Sequence, residues 1–280
     1  MGRRPPENLV RRTRLDAELV RRGLARSRED AGELIAAGRV TISGRPATKS
    51  ATAVDPGAPL LVTADVTDEK WASRGAHKLV GALDAFSDIV VEGRRCLDAG
   101  ASTGGFTDVL LRRGAREVVA VDVGYGQLVW RLQTDDRVQL HDRTNVRTLT
   151  PDAIGGLVEL IVADLSFISL TLVLPALTAC AAPGADLVPM VKPQFEVGRE
   201  RLGAGGVVRD LGHRTDAVAE VVRAAALLGW GMAGVVASPL PGPSGNVEFF
   251  VHLRQDAPTD EAALGRGRQS IADAVEAGAG

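Results

Sequence analysis

Apolar positions Leu15, Leu19 and Val20 form a helical stripe that Gly23 ends. Ser27 then stands at the start of a second stripe, with Asp30 at its third position, Ala31, Leu34 and Ile35 on one side, and Gly38 as a closing cap. Residues 40–43 (VTIS) alternate as a strand does, and Gly44 permits a turn into RPATKS. Farther along the pattern changes. Apolar runs of strand length recur at 94–97, 117–121, 138–140, 160–163, 186–191, 233–237 and 247–253, with helix-length segments between most of them. Strands apolar on both faces belong to a mostly parallel sheet covered by helices on each side. The last two runs are joined only by SPLPGPSG, too short for a helical crossover, so they are expected to pair antiparallel. The expected fold is therefore α/β: a seven-stranded, Rossmann-like sheet, mostly parallel with the last strand antiparallel, behind a small α+β module. The expected domains are residues 1–63 and 73–254, with a linker at 64–72. Residues 255–280, rich in Ala, Gly, Asp and Glu and without a persistent apolar stripe, are expected to be a mobile tail.

Charge sharpens this division. The net charge of −2 conceals a basic first part, with 12 Lys+Arg against 8 Asp+Glu in residues 1–65, and an acidic remainder, with 21 against 27. Phosphate neutralisation supplies most sequence-independent affinity for nucleic acid, so the first module is the expected contact surface. Its candidates are Arg14, Arg21, Arg22, Arg26 and Arg28 around the two helices and Arg39, Arg45 and Lys49 on the β element. The pattern RLDxxLVxxGLAxSRxxAxxLIxxGxVxxxG, from Arg14 over about forty residues, resembles the S-four-type RNA-binding domain. That resemblance implies structured RNA as partner, read largely through shape and phosphate charge.

Cys96 and Cys180 are the two cysteines, which excludes a disulfide framework, and the four histidines (77, 141, 213, 252) lack metal-ligand spacing, so no metal is expected. The N-terminus MGRRPPENLVRRTR lacks the apolar run of a secretory leader, and a cytoplasmic protein is expected. Residues 165–185 are uncharged over nearly a bilayer-spanning length, but Ser166, Ser169, Thr171, Pro175 and Pro183-Gly184 interrupt them.

Ligand chemistry concentrates in DAGASTGGFTD, residues 98–108, a glycine-rich turn between the first strand of the larger domain and a helix expected at 106–113. In the dinucleotide fingerprint the second glycine admits a pyrophosphate; here Ser102 holds that place and its Cβ crowds a phosphate. S-adenosylmethionine, which carries none, suits the loop better than NAD, and no G-K-[ST] ending marks a nucleotide P-loop. Gly100, Ser102, Thr103, Gly104 and Gly105 would face the methionine part. Asp122, 24 residues after Asp98, would accept from the ribose hydroxyls, with Gly124, Gln127 and Asp142 around the adenosine. For Asp142 a plain turn role is the rival reading.

Four more polar residues occupy places where chemistry is expected. Asp164 ends the fourth strand of the sheet, Lys192 ends the fifth, Glu248 begins the reversed last strand, and Lys78 lies in the helix before the first. All four should meet at the carboxyl edge of the sheet. In SRGAHKL, VADLSF, MVKPQFE and NVEFF they match the K-D-K-E tetrad of the FtsJ-type 2′-O-ribose methyltransferases, and with the basic module in front the chain resembles the TlyA, or haemolysin A, family from about Arg14 to Arg254. The resemblance implies S-adenosylmethionine as cofactor and a cytidine ribose of 16S and 23S ribosomal RNA as acceptor, in ribosomal RNA or its subunits. Lys192 is the candidate base, because the like charge of Lys78 and partial burial would both favour its neutral form. The absence of [DN]-P-P-[YF] after the fourth strand and of any Pro-Cys dipeptide argues against amino-group and cytosine-C5 methylation. A membrane-active haemolysin and an inactive RNA-binding protein are the alternatives.

Overall fold

The computed structural model describes residues 12–25, 27–63, 71–203, 205–242 and 245–278. The chain divides into two units at residue 70.

The first unit runs β1 (Thr13–Arg14), α1 (Leu15–Arg21), α2 (Arg28–Ala36), β2 (Val40–Ile42), β3 (Arg45–Pro46), β4 (Ala53–Val54) and β5 (Leu60–Val62). Strands β3, β2 and β5 form one small sheet and β1 pairs with β4. Ser27 caps α2 by accepting from the Asp30 amide at 3.0 Å. Leu15, Leu19, Ala31 and Ile35 make the core with Val40 and Val54, so the two stripes read from the sequence face each other. Glu18 is also buried inside this unit, where hydrogen bonds from Arg21 and then Arg22 hold its carboxyl down to about 2.

The second unit runs α3 (Gly75–Ala85), β6 (Arg95–Ala99), α4 (Gly105–Arg112), β7 (Glu117–Val121), α5 (Trp130–Gln133), β8 (Val138–His141), β9 (Val158–Ala163), α6 (Leu174–Ala179), β10 (Ala181–Val191), α7 (Pro193–Glu196), α8 (Leu211–Leu227), β11 (Gly231–Ala237), β12 (Phe249–Arg254) and α9 (Glu261–Ala277). Its seven strands lie in the order β11-β12-β10-β9-β6-β7-β8. All are parallel except β12, which inserts between β10 and β11 and runs antiparallel to both. The period-two alternation of each strand feeds two cores. Leu97, Val119, Ile161 and Leu187 face α6, α8 and α9, while Cys96, Val118, Leu160 and Val188 face α3 and α4.

One expectation is overturned. Residues 261–277 are not a mobile tail but α9, capped by Asp260, whose side chain accepts from the Ala263 amide at 2.8 Å. Ile271 and Val275 are each 1% exposed, packed in the core on the α8 and β11 side of the sheet. The stripe that does this, Leu264, Gly267, Ile271 and Val275, has one apolar residue per turn and a glycine set against Met232, too thin to read as amphipathic. Residues 165–185 break into a loop, α6 and the start of β10, and among the described residues no helix is long and apolar enough to cross a membrane.

Candidate active site

The expected ligand residues of the second unit sit on loops leaving the carboxyl edge of the sheet, apart from Gly105 at the start of α4, Lys78 in α3 and Glu248 just before the reversed strand. The loop after β6 folds as it does because two glycines take conformations closed to other residues. Gly100 (φ +90°) presses on the Asp164 carbonyl and Gly104 (φ +96°) on Leu128 and Leu132, so a Cβ at either would strike them. Gly105 opens α4 against Ser73. Ser102 is itself left-handed (φ +47°); its amide donates to Asp122 Oδ2 at 2.8 Å and its hydroxyl reaches Gln127 Oε1 at 3.3 Å. Asp122 also accepts from the Gly124 amide at 2.6 Å. Its carboxylate thus clamps the two loops, with lone pairs left over. Thr103 joins the same loops through its carbonyl, which accepts from the Val129 amide at 3.3 Å. Asp142 accepts from the Gly126 amide at 2.8 Å, and this turn-shaping role is the one the geometry displays.

The tetrad assembles as two ion pairs. Lys78 Nζ lies 2.7 Å from Glu248 Oε2, and Lys192 Nζ lies 2.6 Å from Asp164 Oδ1 while donating to Ser166 Oγ at 2.9 Å. Glu248 is fully buried and Lys192 nearly so. Burial pushes the Asp164 carboxyl up, but the charges of Lys192 and Lys78 outweigh it and hold the group below its ordinary range. Each lysine therefore has its own carboxylate, which offsets the like-charge crowding anticipated for Lys192. That counter-charge was not legible in the sequence, where the pairing of the four residues is invisible.

Sequence reasoning passed over Asp98 and Gln194. Asp98 is fully buried beside the cradle, and burial pushes its carboxyl up to about 7 despite a 2.7 Å hydrogen bond from Thr107. Among the described residues four buried side-chain acceptors lack a hydrogen-bond donor: Asp98 Oδ1, Gln194 Oε1, Glu248 Oε1 and Glu117 Oε1. The last is ion-paired with Arg95 on the sheet, whereas Asp98 and Glu248 belong to the site and Gln194 follows Lys192 by two residues. Orphaned acceptors are costly unless a ligand brings donors. A cofactor with an ammonium group and ribose hydroxyls, and a substrate with a hydroxyl, supply such donors, so the residues fit S-adenosylmethionine. Phe167 is a further surprise: 82% exposed, at φ +63°, its ring 5.2 Å from that of Phe195.

In the first unit the basic candidates separate. Arg28, Arg45 and Lys49 are exposed and make no ion pair among the described residues, and Arg14 and Arg21 are exposed beside Asp16 and Glu18. Arg22 is instead built into the fold, bonded to Glu18 at 2.7 Å and to the Ala58 and Pro56 carbonyls at 2.7 and 2.6 Å. Arg39 is half-buried, its Nε on the Thr63 carbonyl at 2.9 Å. Arg26 lies outside the described residues.

A seven-stranded sheet with one inserted antiparallel strand, a glycine-rich turn after β6 and a carboxylate, Asp122, after β7 define a Rossmann-like S-adenosylmethionine-dependent methyltransferase. The family model for FtsJ-like methyltransferases matches residues 71–255, and that for the S4 domain matches residues 13–60. The 16S/23S rRNA (cytidine-2′-O)-methyltransferase TlyA of Mycobacterium tuberculosis is 62% identical over 95% of this chain and 97% of its own. Hemolysin A of Brachyspira hyodysenteriae is 35% identical, covering 86% of this chain and 99% of its own. A solved hemolysin-type structure from Streptococcus thermophilus superposes with a TM-score of 0.73 at 38% identity, covering 96% of each chain. The chain belongs to the TlyA family of FtsJ-like methyltransferases.

Proposed function

We propose that this enzyme methylates the ribose 2′-oxygen of cytidine in 16S and 23S ribosomal RNA, in the cytoplasm, with its first unit gripping the RNA. The observation that carries the reading is the pair of lysine–carboxylate ion pairs beside the glycine cradle. S-adenosylmethionine supplies a methyl group on a positively charged sulfur. Gly100, Ser102, Thr103, Gly104 and Gly105 hold its methionine end with Asp98, Asp122 takes the ribose hydroxyls, and Gly124, Gln127 and Asp142 border the adenine. Lys78 and Glu248 orient the acceptor ribose. Lys192 takes the 2′-hydroxyl proton: once its own ammonium proton has passed to solvent, with Asp164 held as the carboxylate 2.6 Å away, its lone pair receives the new one. Asp164 then offsets the ammonium charge that the transferred proton restores to Lys192, as Glu248 offsets that of Lys78. Exposed Phe167 offers a face on which the target base stacks once it is turned out of its helix. Arg14, Arg21, Arg26, Arg28, Arg39, Arg45 and Lys49 contact phosphates, while Arg22 holds the unit together.

The test is transfer of labelled methyl from S-adenosylmethionine to separated 30S and 50S subunits, followed by digestion to nucleosides. Label on 2′-O-methylcytidine from both subunits is expected. Label on a base, or none on RNA, refutes the reading.

A further inference from the structure

Two chain segments leave the sheet edge at the tetrad: residues 164–170 after β9 and residues 192–196 after β10. They are joined near the sheet by the Asp164–Lys192 ion pair. They are joined again at their far end, where Glu196 accepts from the Ser169 hydroxyl at 2.5 Å and from the Leu170 amide at 2.9 Å. Between these anchors lie the Lys192 to Ser166 hydrogen bond and the Phe167–Phe195 ring contact. The result is a closed ring of chain with a strained residue inside it. Phe167 holds a left-handed backbone that a bulky L-residue keeps only where its surroundings impose it. Its ring, 82% exposed, is too little buried to impose anything, so the constraint comes from the anchors on either side. On one side that anchor is Ser166 on Lys192; on the other it is Glu196.

We propose that Glu196 is a positioning residue for methyl transfer: by pinning Ser169 and Leu170 it keeps Ser166 on Lys192 and Phe167 turned toward the RNA. The inference rests on Lys192 as the acceptor of the ribose proton. Burial raises the Glu196 carboxyl, with Glu220 of α8 adding to the rise, against the hydrogen bonds from Leu170 and Ser169. Those two donors hold the carboxyl in place, and among the described residues it makes no ion pair.

The experiment compares Glu196→Ala, Glu196→Gln and Lys192→Ala in single-turnover methylation of ribosomal subunits, with S-adenosylmethionine affinity by calorimetry and a pH profile for each active variant. Glu196→Ala is expected to lose about 10- to 100-fold in rate, the scale of a misplacement of about an ångström. Its cofactor affinity should stay within about twofold, and the limb of its pH profile that follows the Asp164–Lys192 pair should move as Ser166 leaves the ammonium. Glu196→Gln, whose amide carbonyl still accepts from Leu170, should recover most of the rate. Wild-type rate and an unmoved limb in Glu196→Ala, beside a dead Lys192→Ala, would overturn the latch alone. Loss of rate, cofactor affinity and thermal stability together in both Glu196 variants would also overturn it, as a merely structural role. Normal turnover by Lys192→Ala would instead remove the reading on which it rests.

Discussion

Replacing Asp98 with Asn gives a test whose sign and size follow from burial. The carboxyl is fully buried with one oxygen unpartnered, and its folded value is about 7 against 3.8 for the free side chain. Folded protein therefore binds a proton that unfolded protein releases between those values, so this group's contribution to stability is fully present below about 4 and is lost as pH rises through about 7. A displacement of about three pH units at about 1.4 kcal/mol each makes the loss about 4 kcal/mol. For a unit of this size that is about 10 °C in melting temperature. Asp98→Asn keeps the shape and removes the titration. The measurement is the melting temperature of wild type and variant at about pH 5 and about pH 8. The variant should gain on wild type by about 3 kcal/mol between the two, because only the roughly two units from about pH 5 to about 7 fall inside that window, and the carboxyls of Asp164 and Asp186, held below their ordinary range, stay ionised throughout. If Asp98 faces the cofactor's ammonium, S-adenosylmethionine should also bind wild type more tightly as pH rises through 7, with release of a proton, and the variant without that dependence. Parallel stability curves for the two proteins would refute the burial argument. Equal pH dependence of cofactor affinity would refute the contact.

Glu248→Gln strips the counter-charge from Lys78 in a pair 0% and 12% exposed, and should cost about 3 kcal/mol of stability in urea titration with turnover lost; joint replacement of Lys78 and Glu248 by Met and Leu should restore most of the stability and none of the turnover. Ile271→Ala, in α9, should destabilise by about 2 to 5 kcal/mol, and a mobile tail would leave the urea midpoint unchanged. Arg45→Ala should weaken RNA binding and reduce its salt dependence by about one counterion, while Arg22→Ala should unfold the first unit at lower temperature; a pure loss of RNA affinity in Arg22→Ala would contradict its three bonds within the fold.

How legible these features were depends on whether one residue or two must be read at once. Strands such as Glu117–Val121 stood out because each carries its own apolar run, and Gly100 and Gly104 because a strand-to-helix turn needs their backbone freedom. Lys78, Asp164, Lys192 and Glu248 could each be placed at the carboxyl edge from topology alone. Their pairing could not, because Lys78 and Glu248 are 170 residues apart and nothing local says which carboxylate each lysine meets. The same limit hid Arg22, whose arginine type suggested phosphate until the Pro56 and Ala58 carbonyls came within reach. It hid α9 as well, whose single apolar residue per turn gains meaning only against the core on the α8 and β11 side. Chemistry at this edge is thus set by which charges neutralise which. Two lysines crowded together would have produced a neutral amine by repulsion; two lysines on separate carboxylates are not crowded in that way, so a proton must leave the Asp164–Lys192 pair before the ribose can give up its own. The pH dependence of turnover should accordingly follow that pair as a unit, and replacing Asp164 by Asn, which removes the ion pair that places the amine, should abolish transfer even though Lys192 is left untouched.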